Sequence, residues 1–298
     1  MLQATVPAPI ELLPPAAPRS PGYWETVARR FLRDRVALVA ALVVLGLLLM
    51  AALAPWIAPA DPYASSMLRR LKPIGFEGHP LGTDELGRDM LSRLMVGARL
   101  SLFMGITPVL LAFAVGSVVG VTAGYAGGRV NSVIMRTIDV FYAFPSVLLA
   151  IALSGALGAG MTNSLISLTI VFIPPLARVA ESVTTQIRTR DFVEAARASG
   201  ASAFTIVRVH VLGNVLGPIF VYATSLVAVS MILASGLSFL GLGVKPPEPE
   251  WGLMLNTLRT AIYVQPWIAA LPGAMIFITS IAFNLLADGL RAAMEIKQ

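Results

Sequence analysis

Asp191-Phe-Val-Glu-Ala-Ala-Arg-Ala-Ser-Gly200 runs directly into Ala201-Ser-Ala-Phe-Thr-Ile-Val-Arg-Val-His-Val-Leu-Gly213. The stretch reads as a short helix, a glycine corner and a second short helix. Asp191 at the N-cap position and Glu194 three residues on form a capping pair. Ala195 and Ala196 are small enough to let another surface approach closely. Gly200 permits a positive φ and ends the first helix without strain. Ser202 caps the second helix, in which Phe204, Val207 and Val211 recur at helical spacing. Two long apolar segments flank the pair. A bare connection between two membrane spans needs only a few residues, so a charged helix pair in this place is expected to project into water and dock a soluble partner.

The flanking segments belong to a pattern that covers most of the 298 residues. No Asp, Glu, Lys or Arg occurs in Val36–Ala60, Leu100–Gly128, Val140–Ala177, Val211–Val244 or Thr260–Ala287. Each run can supply a helix of about 20 residues across a hydrocarbon core of about 30 Å. The third is too long for one span, and Ser154-Gly-Ala-Leu-Gly-Ala-Gly-Met-Thr-Asn163 breaks it with turn formers. Six transmembrane helices follow, making an all-α integral membrane protein in which the helices satisfy their own backbone groups inside lipid. The composition agrees: 56% of residues are hydrophobic and 13% charged, about half the charged fraction of a soluble domain.

Lys and Arg set the orientation. With both termini in the cytoplasm, the cytoplasmic segments hold Arg29, Arg30, Arg33, Arg35, Arg129, Arg136, Arg178, Arg188, Arg190, Arg197, Arg208 and Arg291. The long first external loop is also basic, but Asp61, Glu77, Asp84, Glu85 and Asp89 offset it. The net charge of +6 is thus mainly a topology signal, with no basic patch interleaved with aromatics to suggest nucleic acid. The expected organisation is a proline-rich, disordered cytoplasmic tail over 1–28 and a first span over 29–57. An external loop with an amphipathic helix covers 58–98, a core domain 99–291 with the docking loop at 183–216, and a short tail 292–298. In the external loop, Thr83 or Asp84 caps a short helix carrying Leu86, Met90, Leu91 and Leu94 on one face. The apolar run after Arg35 exceeds the length of a signal-peptide core, so the first helix is read as uncleaved.

Few ionisable groups approach the bilayer. Asp139 is expected in the first turn of the third span, favoured by the macrodipole, and Asp288 near the end of the sixth, paired with Arg291. The absence of mid-membrane carboxylates or histidines counts against an ion-coupled carrier. Ala112, Gly116, Gly120 and Gly124 form a stripe of small residues suited to close helix packing. The chain has no cysteine, and its two histidines lie far apart, so neither a disulfide nor a metal cluster is expected. Its lysines are Lys72, Lys245 and Lys297, none of which follows a glycine. No phosphate-binding Gly-x-x-x-x-Gly-Lys-Ser/Thr loop exists, so any ATP chemistry must come from another chain.

The run Glu194-Ala195-Ala196-x-x-x-Gly200, with Phe204, Leu212, Gly213 and Asn214 beyond, resembles the EAA loop of ABC importer permeases. The external Leu81-Gly82-Thr83-Asp84-x-x-Gly87-Arg88-Asp89 is similar to the signature of the second permease subunit in dipeptide, oligopeptide and nickel importers. Phe144-Pro145, Ser238-Phe-Leu-Gly-Leu-Gly243, Trp251-Gly252 and Asn284-Leu-Leu-x-Asp288-Gly-Leu-Arg291 add to the likeness, which runs from about residue 25 to 291. Two positions depart from it. Gly213 stands where the family usually has proline, and Glu250 where a small polar residue is usual.

The resemblance implies a type I ABC importer permease fold with cytoplasmic coupling helices, in the inner (cytoplasmic) membrane. It implies a homologous second permease, one or two ABC ATPase subunits and an extracytoplasmic solute-binding protein as partners, with no nucleic acid. ATP and Mg would be bound by the ATPase subunits, and this chain would carry no cofactor, metal or catalytic residue. Glu194 would pair with a basic residue of an ATPase subunit, and Gly200 would set the bend between the coupling helices. Di- or oligopeptides are the expected cargo. Nickel, glutathione or another peptide-like solute in the same architecture is the first alternative, and an ion-coupled secondary transporter or a membrane enzyme the more distant ones.

Overall fold

The Asp34 carboxylate accepts the backbone N–H groups of Val36 and Ala37 at 2.9 and 3.1 Å and caps the first membrane helix, which begins at Arg35, six residues after the expected start of the span. In a computed structural model describing residues 22–295, helix α1 (Tyr23–Arg33) is separate from and precedes α2 (Arg35–Ile57). The expected boundary between a tail at 1–28 and a span at 29–57 is therefore revised. Residues 1–21 and 296–298 of the two expected tails lie outside the described residues. At the other end, the last helix, Pro266–Met294, continues through the expected start of the C-terminal tail. Arg30 donates to the carbonyl of Glu295 at 3.1 Å, so α1 packs beside the end of the last helix.

The other long helices are α3 (Met90–Ala126), α6 (Met161–Arg188), α8 (Ala203–Phe239) and α10 (Pro266–Met294). Together with α2, five helices are long and apolar enough to cross a membrane. A sixth straight helix of that length does not form among the described residues. Between α3 and α6 lie α4 (Gly128–Tyr142) and α5 (Ser146–Leu157), which together are apolar enough for one crossing but meet at 85°, the shape of a broken span or a re-entrant loop. Twelve residues of α5 reach only about 18 Å, so α5 alone falls short of the hydrocarbon core. Pro145 accounts for the break, since it lacks an N–H and disfavours helical backbone at Phe144. The turn formers after Ser154 divide the third apolar run as expected, with the break at Gly158–Gly160. The shorter helices α7 (Asp191–Ala198) and α9 (Trp251–Thr257) sit at opposite ends of the bundle. No strand forms among the described residues beyond two isolated bridges in the loop between α2 and α3.

Helices α3 and α6 make the most extensive pairing, and the small-residue stripe explains it. A Cβ added to Gly120 would lie 2.3 Å from the Ala177 carbonyl, and one on Gly116 2.9 Å from Leu176 Cβ. Backbones approach this closely only where side chains are absent, because lipid provides no hydrophobic drive for association. In the most apolar window of α8, 56% of residues are buried, against 28% in α2. Helix α8 is thus central and α2 peripheral, with Leu42, Leu45 and Leu49 left to face lipid.

Candidate functional site

Two groups of residues singled out by sequence lie at opposite ends of the molecule. At one end α6 stops at Arg188 and α7 begins at Asp191. The capping pair expected there does not form. Arg190 occupies the N-cap position without a side-chain cap, while Asp191 and Glu194 both lie in the first turn, where the positive end of the helix dipole favours them. Val193 is fully buried and anchors α7, leaving Glu194 and Ala195 exposed and Ala196 half-buried.

Gly200 adopts φ +80°. The Gly200 N–H donates to Arg197 O at 3.0 Å and the Ala201 N–H to Ala196 O at 3.1 Å. This is the paired closure of a glycine-terminated helix, as the sequence required. Ser202 then accepts from Thr205 N at 3.2 Å and opens α8. Phe204 is 74% exposed at the tip of this hairpin, and Glu194 makes no ion pair among the described residues.

Beyond the tip, the second helix is not the short one expected: Ala203–Phe239 is continuous through Gly213, passing through a π-helical turn at Val207–Val211. The widened turn buries Ile206 and Val211 while Arg208 and Val209 point outward. Asn214 Nδ2 donates to His210 O at 2.7 Å, Leu212 is half-buried, and Gly213 and Asn214 are exposed. The Phe192 and His210 rings lie 6.4 Å apart and tie α7 to α8. The hairpin is therefore one continuous extension of the central span, able to pass a displacement at its tip directly into the bundle. A Cβ on Gly217 would lie 2.5 Å from Met294, which puts the hairpin, the end of α10 and α1 at the same end.

At the opposite end the residues Leu81–Asp89 form a buried network. Asp84 accepts Leu86 N and Arg88 N, each at 2.9 Å, and Arg88 Nε at 2.6 Å, and it pairs with Arg93 Nε at 3.1 Å. Asp89 bonds His79 Nδ1 at 2.9 Å and, as N-cap of α3, accepts Ser92 N at 2.7 Å. The Thr83 hydroxyl donates to Arg69 O and accepts from Lys72 N at 2.9 Å. Gly82 and Gly87 take φ near +75°, and Leu81 is half-buried against the core. The separate amphipathic helix expected here is absent. Residues 80–88 are turns, and Met90, Leu91 and Leu94 already belong to the membrane-crossing α3. The signature residues thus brace the loop against the bundle.

Arg93, which no motif in the sequence singles out, ties this brace together. Its Nη1 donates to Pro62 O at 2.9 Å. A charge in the first turn of a span needs a buried partner, and that was the signal available. Trp251 is fully buried and its Nε1 donates to Leu94 O at 3.0 Å.

Glu250 now has an account: it caps α9, accepting Gly252 N and Leu253 N at 2.8 Å each. Burial pushes its carboxyl above the usual carboxylate range, against the pull of those two N–H groups and the Ser238 and Ser101 hydroxyls. Asp139 lies in the last turn of α4, not the first turn of a span. There the dipole opposes it, and a pair with Arg178 of α6 compensates. Arg178 also lies 5.3 Å from the Tyr142 ring. Asp288 and Arg291 pair at 4.0 Å, as expected.

The fold matches solved structures of the inward-facing MetNI methionine ABC transporter. TM-scores are 0.56 and 0.57, at 20% identity, over 68% of this chain and 97% of that one. That likeness defines the type I importer permease fold. Residues 116–297 match the family described as binding-protein-dependent transport system inner membrane component, and residues 22–73 the N-terminal TM domain of oligopeptide transport permease C. The glutathione transport system permease protein GsiD of Pectobacterium atrosepticum is 42% identical over 92% of this chain and 91% of its own length. GsiD of Escherichia coli is 42% identical over 96% and 94%. The chain belongs to the inner-membrane permease family of ABC importers, within the peptide and oligopeptide group. It is a multi-pass transport subunit, not an ATPase.

Proposed function

We propose that this permease imports a peptide-class solute, a di- or oligopeptide or a peptide-like compound such as glutathione. An external binding protein delivers the solute, and separate ATPase subunits that bind ATP and Mg drive its passage. A homologous second permease completes the pathway, and both termini lie in the cytoplasm. The hairpin formed by Glu194, Ala195, Ala196, Gly200 and Phe204, with Leu212, Gly213 and Asn214 behind it, receives the ATPase. The observation that carries this reading is the exposed, unpaired Glu194 beside Phe204 on a hairpin continuous with the central span α8. The names of the relatives favour glutathione within the peptide class.

Co-purification after mild detergent extraction tests the docking. Wild type is expected to bring an ATPase and a second permease, whereas Glu194→Arg and Gly200→Pro lose the ATPase and keep the permease. Variants that retain a full complement of ATPase would end the docking argument. Uptake of labelled glutathione, dialanine and nickel by the reconstituted complex then ranks the cargo.

A further inference from the structure

At the end of the bundle that holds the braced loop, a cavity of about 720 Å³ opens between the start of α3, the turn into α6 and the segment after α8. Phe103 and Met161 contribute to an apolar floor, and Tyr63, Arg99, Lys245 and Glu248 bring polar groups to its wall. Tyr63 Oη donates to Glu248 Oε2 at 2.9 Å, which orients that carboxylate and leaves its other oxygen without a side-chain partner among the described residues. Arg99 and Lys245 are exposed, and neither has a hydrogen bond or ion pair among the described residues.

Arg99 is the unusual member. It lies nine residues into α3, about 13 Å along that helix from Met90. It directly precedes the uncharged run Leu100–Gly128, so it stands at the edge of the crossing, exposed on the cavity wall and placed to take an anion. The external brace does not use it, since Arg93 and Arg88 already serve Asp84.

We propose that this cavity is an outer receiving site for a zwitterionic, peptide-like solute. Arg99 and Lys245 take its carboxylate, Glu248 takes its ammonium group, and the apolar floor accepts its side chains. Two cations set beside one oriented carboxylate match the two ends of a short peptide. The guanidinium can hold a carboxylate through two parallel N–H donors, a geometry that fixes direction as well as charge. The assignment rests on the peptide-class reading above and adds selectivity at the permease, downstream of the binding protein.

The test uses the full importer with its binding protein in proteoliposomes, and compares uptake of dialanine with dialanine C-terminal amide. Each variant is scored by its acid-to-amide ratio, so the binding protein's own preference cancels against wild type. Arg99→Gln combined with Lys245→Gln is expected to lower the ratio roughly three- to tenfold, the range for charge-assisted bonds in a partly exposed site. Arg99→Lys keeps the charge but loses the paired donors, and its ratio is expected to fall between wild type and the double variant. Arg259→Gln, which removes an exposed charge outside the cavity, should leave the ratio at the wild-type value.

An unchanged ratio in the double variant overturns the site while leaving the peptide reading intact. Equal loss for acid and amide also overturns it, and assigns the cations to an anionic lipid headgroup or the binding protein. Repeating that case without phosphatidylglycerol separates those two. If wild type carries neither dialanine probe nor labelled glutathione, the peptide reading falls and this site falls with it.

Discussion

Glu250 places a carboxylate where water cannot reach it, with two backbone N–H groups as its main partners. Replacing it by alanine orphans those donors and the Ser101 hydroxyl, at a cost of about 2 kcal/mol. Glutamine keeps one good acceptor, so Glu250→Gln should lower the melting temperature in detergent less than Glu250→Ala. The pH response has a definite sign. The native carboxyl holds its proton to higher pH than the unfolded chain does, so the native state binds more protons above the usual carboxylate range. This group's contribution to stability is therefore highest below that range and declines as pH rises through the native value. Melting curves of wild type against Glu250→Gln across mildly acidic pH should show that decline in wild type and a flatter profile in the variant. A variant with the same slope would assign the pH response elsewhere. Glycines make a second contrast at this scale. Gly87, at φ +73° with a would-be Cβ 1.9 Å from Ser66 O, should tolerate no side chain: Gly87→Ala is expected to cost about 3 kcal/mol or more. Gly213 lies in a helix with open space around its Cα, so Gly213→Ala should be neutral or stabilise by about 0.5–1 kcal/mol.

Helices meet through the stripe of α3, and a substitution there tests the packing directly. Gly120→Ala drives a methyl to within 2.3 Å of Ala177 O and 2.5 Å of Ala180 Cβ. The α3–α6 pair must separate or bend, with an expected loss of about 1–3 kcal/mol. The stripe was legible because its four-residue spacing carries its own geometry. So were the glycine turn at Gly200 and the break before Met161, where the residue type dictates the backbone. Uncharged runs, by contrast, report which residues lipid tolerates and not the direction they take, so the 85° bend between α4 and α5 left no trace in them. For the same reason Asp139 was assigned to the wrong end of a helix: a carboxylate beside an apolar run fits either a helix start or a helix end with a distant partner, and Arg178 is 39 residues away. Asp191 follows the same logic, since a capping residue and a first-turn residue have the same sequence signature. The Arg93 and Asp84 brace depends on loops brought together from residues 62, 84 and 93, a contact that no local pattern encodes.

Across the whole molecule the two ends differ in kind. One end carries the braced loop with the cavity beside it, and the other presents a bare hairpin attached to the most buried span. A device of this shape transmits force only if the hairpin faces the compartment that holds ATP and the cavity faces the arriving solute. The sequence contains no cysteine, so single introduced thiols report sidedness without background. Ser199→Cys sits on the exposed hairpin and Ser65→Cys at an exposed position of the loop between α2 and α3. Both replace small hydroxyl side chains at the surface, and neither should disturb the bundle. A membrane-impermeant maleimide applied to intact spheroplasts is expected to label the thiol at position 65 and to spare that at 199. After permeabilisation both should react, and ATPase bound to the hairpin should slow labelling at 199 while leaving 65 unaffected. The reverse pattern would place the hairpin outside and remove its access to an ATPase. Protection at both positions before permeabilisation would contradict the even number of crossings that the bent α4–α5 span supplies, because only that crossing sets the two thiols on opposite sides.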